Sequence, residues 1–376
     1  MNETPGPKRK QGLRVGLIIA ASGLAGLMFL LPGVPQRKDA ARAQEAKPAA
    51  PLTDLHMIEE VRKRTEKALD YLESKQIKEG AEAGSWSTNQ AINALALLAF
   101  MSGGHVPGRG KYGDVMEKGV VKPGVLTRGK KYLLSKAQPT GYISSGTMYE
   151  HGLATLALAE MYGMDADPEL EDKLRKAVDL IVRCQSPAGG WRYQPVPGDQ
   201  DMSVTVMQIV ALRAANNAGI PVPEKTLQNA VKYVQSCASG DKGAGFGYSG
   251  AGVGPQTTPA GVLSLQLLGH PEDGRIPASL DYLTALPVGW PGGAQYFYYH
   301  HYYAIQATYQ AGGKYWNGWH PKVRELLLSK QDPEGSWDVP PGSSEASYVQ
   351  PNKVYPTAMA TLILNIYLHY LPAYQR

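Results

Sequence analysis

Cysteine is nearly absent from this chain of 376 residues: Cys184 and Cys237 are the only two. At most one disulfide can brace the fold, so packing must hold it. Phenylalanine is scarce as well, four residues against 22 tyrosines, so almost every aromatic surface outside tryptophan comes with a hydroxyl. Charge is thin, 19% of residues against 43% hydrophobic, which excludes disorder for most of the chain and allows a large buried core. Net charge is missing altogether beyond residue 53. Residues 1–53 hold eight basic groups and three acidic ones, which accounts for the whole formal charge of +5. A polyanion partner gains no support from that distribution, and no nucleic-acid binding is expected.

The basic excess has another reading. Lys8, Arg9, Lys10 and Arg14 precede an apolar run over 15–31, the arrangement of a signal anchor or signal peptide with its positive end kept in the cytoplasm. Residues 1–34 are therefore read as that segment, with an uncleaved inner-membrane anchor favoured. Ala41-Arg42-Ala43 offers a cleavage site as the alternative, which would release a secreted protein. The Ala-, Pro- and Lys-rich stretch 35–53 reads as a linker, and residues 54–376 as one domain carried outside the cytoplasm of a bacterial envelope.

Within that domain one unit occurs six times, at a period of roughly 44 to 61 residues: an amphipathic helix, a glycine and aromatic loop, and a helix of smaller residues closed by glycine. First helices are expected at 57–76, 125–136, 168–184, 224–237, 277–286 and 321–330. Their ends repeat, as in Tyr71-Leu72-Glu73-Ser74-Lys75-Gln76 and Leu327-Leu328-Ser329-Lys330-Gln331. Second helices such as 91–101, 152–162, 204–217 and 261–268 are nearly free of charge and must be surrounded by protein. Gly103, Gly163, Gly219, Gly269 and Gly312 follow second helices where a left-handed C-cap is wanted. Hairpins with one wet and one dry member stack side by side, and six can close a ring. The expected fold is all-α, an α/α toroid of six outer plus six inner helices, with an open superhelix as the alternative. Cys184 and Cys237 fall on equivalent slots of two neighbouring outer helices, so they either face one another in a disulfide or remain two half-buried thiols.

After two outer helices the loop reads Gln185-Ser186-Pro187-Ala188-Gly189-Gly190-Trp191 and Gln331-Asp332-Pro333-Glu334-Gly335-Ser336-Trp337, with looser copies at Gly84-Ser85-Trp86, Gly141-Tyr142 and Gly245-Phe246-Gly247-Tyr248. A glutamine amide can bond free helix-end groups, glycine permits the return, and the indole covers the junction. These QW-type motifs resemble those of the prenyltransferase and squalene oxidase repeat family, which includes squalene-hopene cyclases and protein prenyltransferase β subunits. The resemblance covers 54–372, implies the toroid fold, and is nearest to exported single-domain members of planctomycete type. It implies no particular reaction.

Cyclases of that family protonate an alkene with the middle aspartate of a DxDD motif. Here Asp199-Gln200-Asp201-Met202 is the nearest match, which would make Asp201 a catalytic acid, but Met202 stands where the last aspartate is needed. The competing role for Asp201 is an N-cap. A protein prenyltransferase is not expected, because its Asp-x-Cys zinc ligands are missing, and no metal or cofactor is expected either. The tract 296–303, Tyr-Phe-Tyr-Tyr-His-His-Tyr-Tyr, puts rings on every face of the fifth inner helix, and His300 and His301 are further candidates for proton transfer. Polar residues recur where inner helices begin: Asn89 and Asn93, Tyr149 and His151, Thr205 and Gln208, Gln256, Tyr299 and Tyr303, Tyr355. In a closed ring they converge on one end as ligand-binding residues around an apolar floor. The leading functional expectation is a cavity that binds an apolar or amphipathic small molecule, isoprenoid-like, with terpenoid-cyclase-type acid chemistry as its enzymatic form. The alternatives are a glycan-binding or polysaccharide-lyase-type barrel and a non-catalytic envelope scaffold.

Overall fold

The computed structural model describes residues 55–144, 146–165, 167–290, 295–368 and 371–372. The anchor expected at 1–34 and the linker at 35–53 lie outside the described residues. None of the described helices is long and apolar enough to cross a membrane.

Among the described residues, twelve α-helices alternate between two layers. The outer ones are α1 (Leu55–Lys75), α3 (Val125–Lys136), α5 (Pro168–Arg183), α7 (Glu224–Ser236), α9 (Ile276–Ala285) and α11 (Gly313–Lys330). The inner ones are α2 (Gln90–Ser102), α4 (Met148–Met164), α6 (Met202–Asn217), α8 (Thr257–Leu267), α10 (Phe297–Ala311) and α12 (Val354–Asn365). Sequence dictates the layer. In α5, Leu170, Leu174, Ala177, Val178 and Ile181 are buried at spacings of three and four, and the charges between them are left to water. In α2, every residue except Ala91 is buried, so the helix has protein all round it.

Each inner helix packs on the next, and α12 packs on α2. The ring is therefore closed, and the fold is the α/α toroid. Asn365 Nδ2 donates to Ser102 Oγ across the closing seam at 3.1 Å. A two-stranded hairpin, β1 (Val115–Glu117) with β2 (Val120–Lys122), leaves the α2 to α3 connection; no periodic signal in the sequence announces it.

The loop motif does three jobs at each junction. Gln76, Gln185 and Gln331 use Nε2 to donate to carbonyls of the next outer helix, Val125 O, Thr226 O and Arg64 O respectively, the last joining α11 back to α1. The indole N–H groups of Trp86, Trp191 and Trp337 donate to Leu72 O, Ile181 O and Leu327 O, carbonyls that a helix C-terminus leaves free. Gly84, Gly141, Gly189 and Gly335 have φ of 91–103° and lie so near the next outer helix that a Cβ would meet its backbone within 2.1–2.6 Å. A fourth contact locks the loop to the inner helix. The loop backbone N–H of Trp86, Ile143, Trp191, Phe246 or Trp337 donates to Asn93 Oδ1, His151 Nδ1, Thr205 Oγ1, Thr258 Oγ1 or Thr357 Oγ1.

Some expectations need correction. α11 begins at Gly313, and Pro321 lies inside it; a proline in the interior removes one helix bond, but Trp316, stacked on His320 at 4.1 Å, and the fully buried Trp319 hold the earlier turns in place. Gly163 lies within α4 and makes no left-handed cap. At the end of α2 the left-handed residue is Gly104 (φ 84°), because Gly103 keeps φ −84°. Cys184 and Cys237 are buried and both are free thiols.

Candidate functional site

All six inner helices enter the ring in the same direction, so their first turns gather at one end around a cavity of 930 Å³. Its apolar part comes from one turn further in, where Ile92, Leu95, Leu153 and Met207 line it.

One wall is a set of joined hydroxyls. Ser203, in the first turn of α6, donates through Oγ to Asp201 Oδ1 at 2.6 Å, and Tyr149 OH meets the same Oγ at 2.5 Å. Tyr193 OH and Tyr248 OH are hydrogen-bonded to each other, and the rings of Tyr149 and Tyr193 lie 5.7 Å apart. Burial is the main cause that pushes the Tyr149 phenol well up, so it is a neutral donor at any physiological pH.

The opposite wall is organised by Glu345, which the sequence reading missed. It sits before a 3-10 turn (Ala346–Val349) in the α11 to α12 connection and is only 1% exposed. Its Oε2 accepts from Tyr298 N at 2.9 Å and Ser343 Oγ at 3.3 Å, and its Oε1 from Tyr299 N at 3.0 Å and Tyr355 OH at 2.7 Å. It therefore caps α10 from across the chain, where the helix dipole favours a carboxylate. Burial still raises the carboxyl above its ordinary value, against the lowering effect of those donors. Glu150 does the same for α2: its Oε2 accepts from Gln90 N at 3.0 Å, beside Asn89 Oδ1, which accepts from Ala91 N and Ile92 N. A glycine-rich run, 247–254, completes the rim with its backbone, and Tyr296 and Tyr348 stand exposed beside it.

The structure divides the residues expected from sequence. Asn89, Tyr149, Gln256, Tyr299 and Tyr355 line the cavity. Asn93, His151 and Thr205 do not; they are the loop locks described above. Gln208 Nε2 ties α6 to α4 through Met148 O, and Tyr303 packs behind the wall on Tyr299 with ring centroids 4.8 Å apart. Asp201 is fully buried, and its Oδ1 accepts from Val204 N at 2.9 Å. It is the N-cap of α6, its Oδ2 lies 3.5 Å from Arg192 Nε, and it meets the cavity lining only through Ser203, without being a lining residue itself. His300 and His301 also stand off the lining. His300 Nδ1 is 2.7 Å from Pro255 O, and His301 packs between Phe297 and Trp319 with centroids at 4.4 and 5.7 Å. Desolvation drives His300 down to about 4 and His301 well below its ordinary value, so both are neutral core rings. Tyr193 and Tyr248 were missed despite a usable signal: each follows the aromatic residue of a loop motif by two positions, Trp191 and Phe246. Glu345 has no such signal, since it lies in an aperiodic stretch.

No protein-family model and no curated protein matches the chain in sequence. Solved structures do match in shape. An α-1,6-mannanase of Salegentibacter sp., held in complex with α-1,6-mannotriose as an inactive variant, is 12% identical, with 81% of this chain and 98% of that one covered at a TM-score of 0.54. A type II terpene cyclase from Scytonema, in complex with its substrate geranylgeranyl dihydroxybenzoate, is 14% identical, with 82% and 98% covered at a TM-score of 0.52. A GH76 α-mannanase of Bacteroides thetaiotaomicron is 11% identical, with 81% and 94% covered at 0.50. At these identities the likeness is one of fold.

Proposed function

We propose that the central cavity is a binding site for an amphipathic, isoprenoid-like small molecule, taken apolar end first. The carrying observation is the two-zone cavity, with Ile92, Leu95, Leu153 and Met207 deep and tyrosine hydroxyls with two carboxylates at the rim. Its volume of 930 Å³ falls within the range of sites that bury most of a small ligand. Cyclase chemistry on such a ligand would need a strong acid aimed into the apolar zone, a role that the capping geometry of Asp201 does not favour. We therefore place binding first, in a single-domain protein of prenyltransferase and squalene oxidase repeat type held at the membrane by residues 1–34. The likeness to a terpene cyclase supports the reading only as a fold able to enclose such molecules. Organic extraction of the purified full chain, followed by mass spectrometry, is expected to yield an isoprenoid in near-stoichiometric amount. Repeated extraction that gives only bulk phospholipid at trace level would count against it.

A second reading rests on a different feature. Tyr248, Tyr296 and Tyr348, each 41–45% exposed, offer ring faces at the mouth, the surface on which a neutral sugar stacks. The mannanase likeness supports a fold able to receive such a chain. Saturable binding of mannotriose, with no effect of filling the apolar zone, would favour this reading over the first.

A further inference from the structure

We infer that the cavity selects a ligand whose polar end is an uncharged hydroxyl and rejects the corresponding phosphate or carboxylate; this rests on the cavity being the binding site proposed above. Six helix N-termini meeting at one rim would ordinarily make an anion site, because unpaired amides and the positive ends of the dipoles point into it. At three of these six that potential has already been met from within the chain. First-turn amides of α2 are taken by Glu150 and Asn89, one of α6 by Asp201, and those of α10 by Glu345. Three of the four capping groups are carboxylates. Among the described lining residues, moreover, Glu150 and Glu345 are the only charged side chains, and none is Lys, Arg or His. Arg192, beside the rim, is paired with Asp199 and lies 3.5 Å from Asp201.

A diphosphate brought into this rim would meet two carboxylates without a counter-cation, in a place that water screens poorly. A hydroxyl meets groups that suit it. Tyr299 OH has no hydrogen-bond partner among the described residues and can donate to the ligand oxygen. Glu150 has committed Oε2 to Gln90 N, which leaves Oε1 to accept the ligand's proton. The same electrostatics exclude polymers of uronic acids, and with them the lyase form of a glycan-binding barrel.

The test is a calorimetric titration of the full chain, in one mild detergent, with geranylgeraniol and with geranylgeranyl diphosphate. The alcohol is expected to bind at least about tenfold more tightly, from two carboxylates acting at roughly 8 Å and an effective dielectric of about 20. Glu150→Gln, which keeps an acceptor for Gln90 N, should narrow that ratio several-fold. Equal or tighter binding of the diphosphate, or a ratio unmoved by Glu150→Gln, would overturn the inference while leaving the cavity as the site. Binding of neither compound would overturn the site itself, and the inference with it.

Discussion

Acid is expected to unfold this protein between pH 6.5 and 4, with the loss of stability beginning above the range in which ordinary carboxylates are protonated. Four histidines are buried in the neutral form. Desolvation is the main cause in each: His151 and His300 are lowered to about 4, His320 to about 3, and His301 well below its ordinary value. A folded-state pKa below the unfolded 6.5 means that the unfolded chain takes up protons first as the pH falls. The stabilisation is therefore fully present above pH 6.5 and is lost as the pH approaches the folded values. With each pKa unit worth about 1.4 kcal/mol, His151 and His300 each stand to lose about 3 kcal/mol, and His320 and His301 add to the loss in the same direction. Such losses are comparable with the whole stability of a typical domain. Glu345 works the other way, since its raised pKa favours the folded state at lower pH, but it is one group against four. Denaturant unfolding at half-unit pH steps reads the slope directly. His151→Asn is the informative variant, because Asn93 fills the same lock in the first repeat. It should flatten the dependence between pH 6.5 and 4, and an unchanged slope would show that His151 titrates normally in the folded state.

Gly189→Ala is expected to cost about 3–5 kcal/mol, and Gly219→Ala only about 1–2 kcal/mol. Both glycines are left-handed, with φ of 101° and 85°, so the backbone strain is similar. Their surroundings differ. A Cβ at Gly189 would stand 2.1 Å from Asn229 O on α7, whereas one at Gly219 would have nothing within 4 Å. The difference between the two variants therefore isolates the close approach of loop to outer helix, the feature that lets Gln185 Nε2 reach Thr226 O at 2.9 Å. Urea unfolding of both variants decides it. Equal costs would mean that the loop can shift without loosening the outer layer, and that the repeated glycine serves conformation alone.

These two predictions draw on features of unequal visibility in the sequence. The glycine and tryptophan of the loop motif recur at fixed offsets, so the staple and the closed ring of hairpins could be read from periodicity, and the structure has them. The slot of His151 recurs too, but its role is hidden because the other copies hold Asn93, Thr205, Thr258 and Thr357, and only three-dimensional equivalence shows that all five accept the same loop N–H. Polar residues at inner-helix starts looked alike in sequence. Their fates cannot be read from helical phase, since positions four apart share a helix face: Asn89, at the N-cap, lines the cavity, while Asn93, one turn on, accepts from the loop N–H of Trp86. Tyr299 and Tyr303 split in the same way. Glu345 could not be found at all, since a carboxylate that caps α10 from the α11 to α12 connection depends on ring closure and on nothing local. The start of α11 was misread because Pro321 reads as a helix beginning until Trp316 and Trp319 are seen to bury the turns before it.

The central claim is that the space inside the ring is the ligand site. Leu153→Trp puts an indole into the apolar zone between α4 and its neighbours, far from the staples. Calorimetric titration of geranylgeraniol into wild type and this variant, with thermal unfolding to show that the variant is folded, tests the claim most directly. Saturable binding by the wild type and at least about a tenfold loss in the folded variant is the predicted result. Undiminished binding with the interior filled would contradict it.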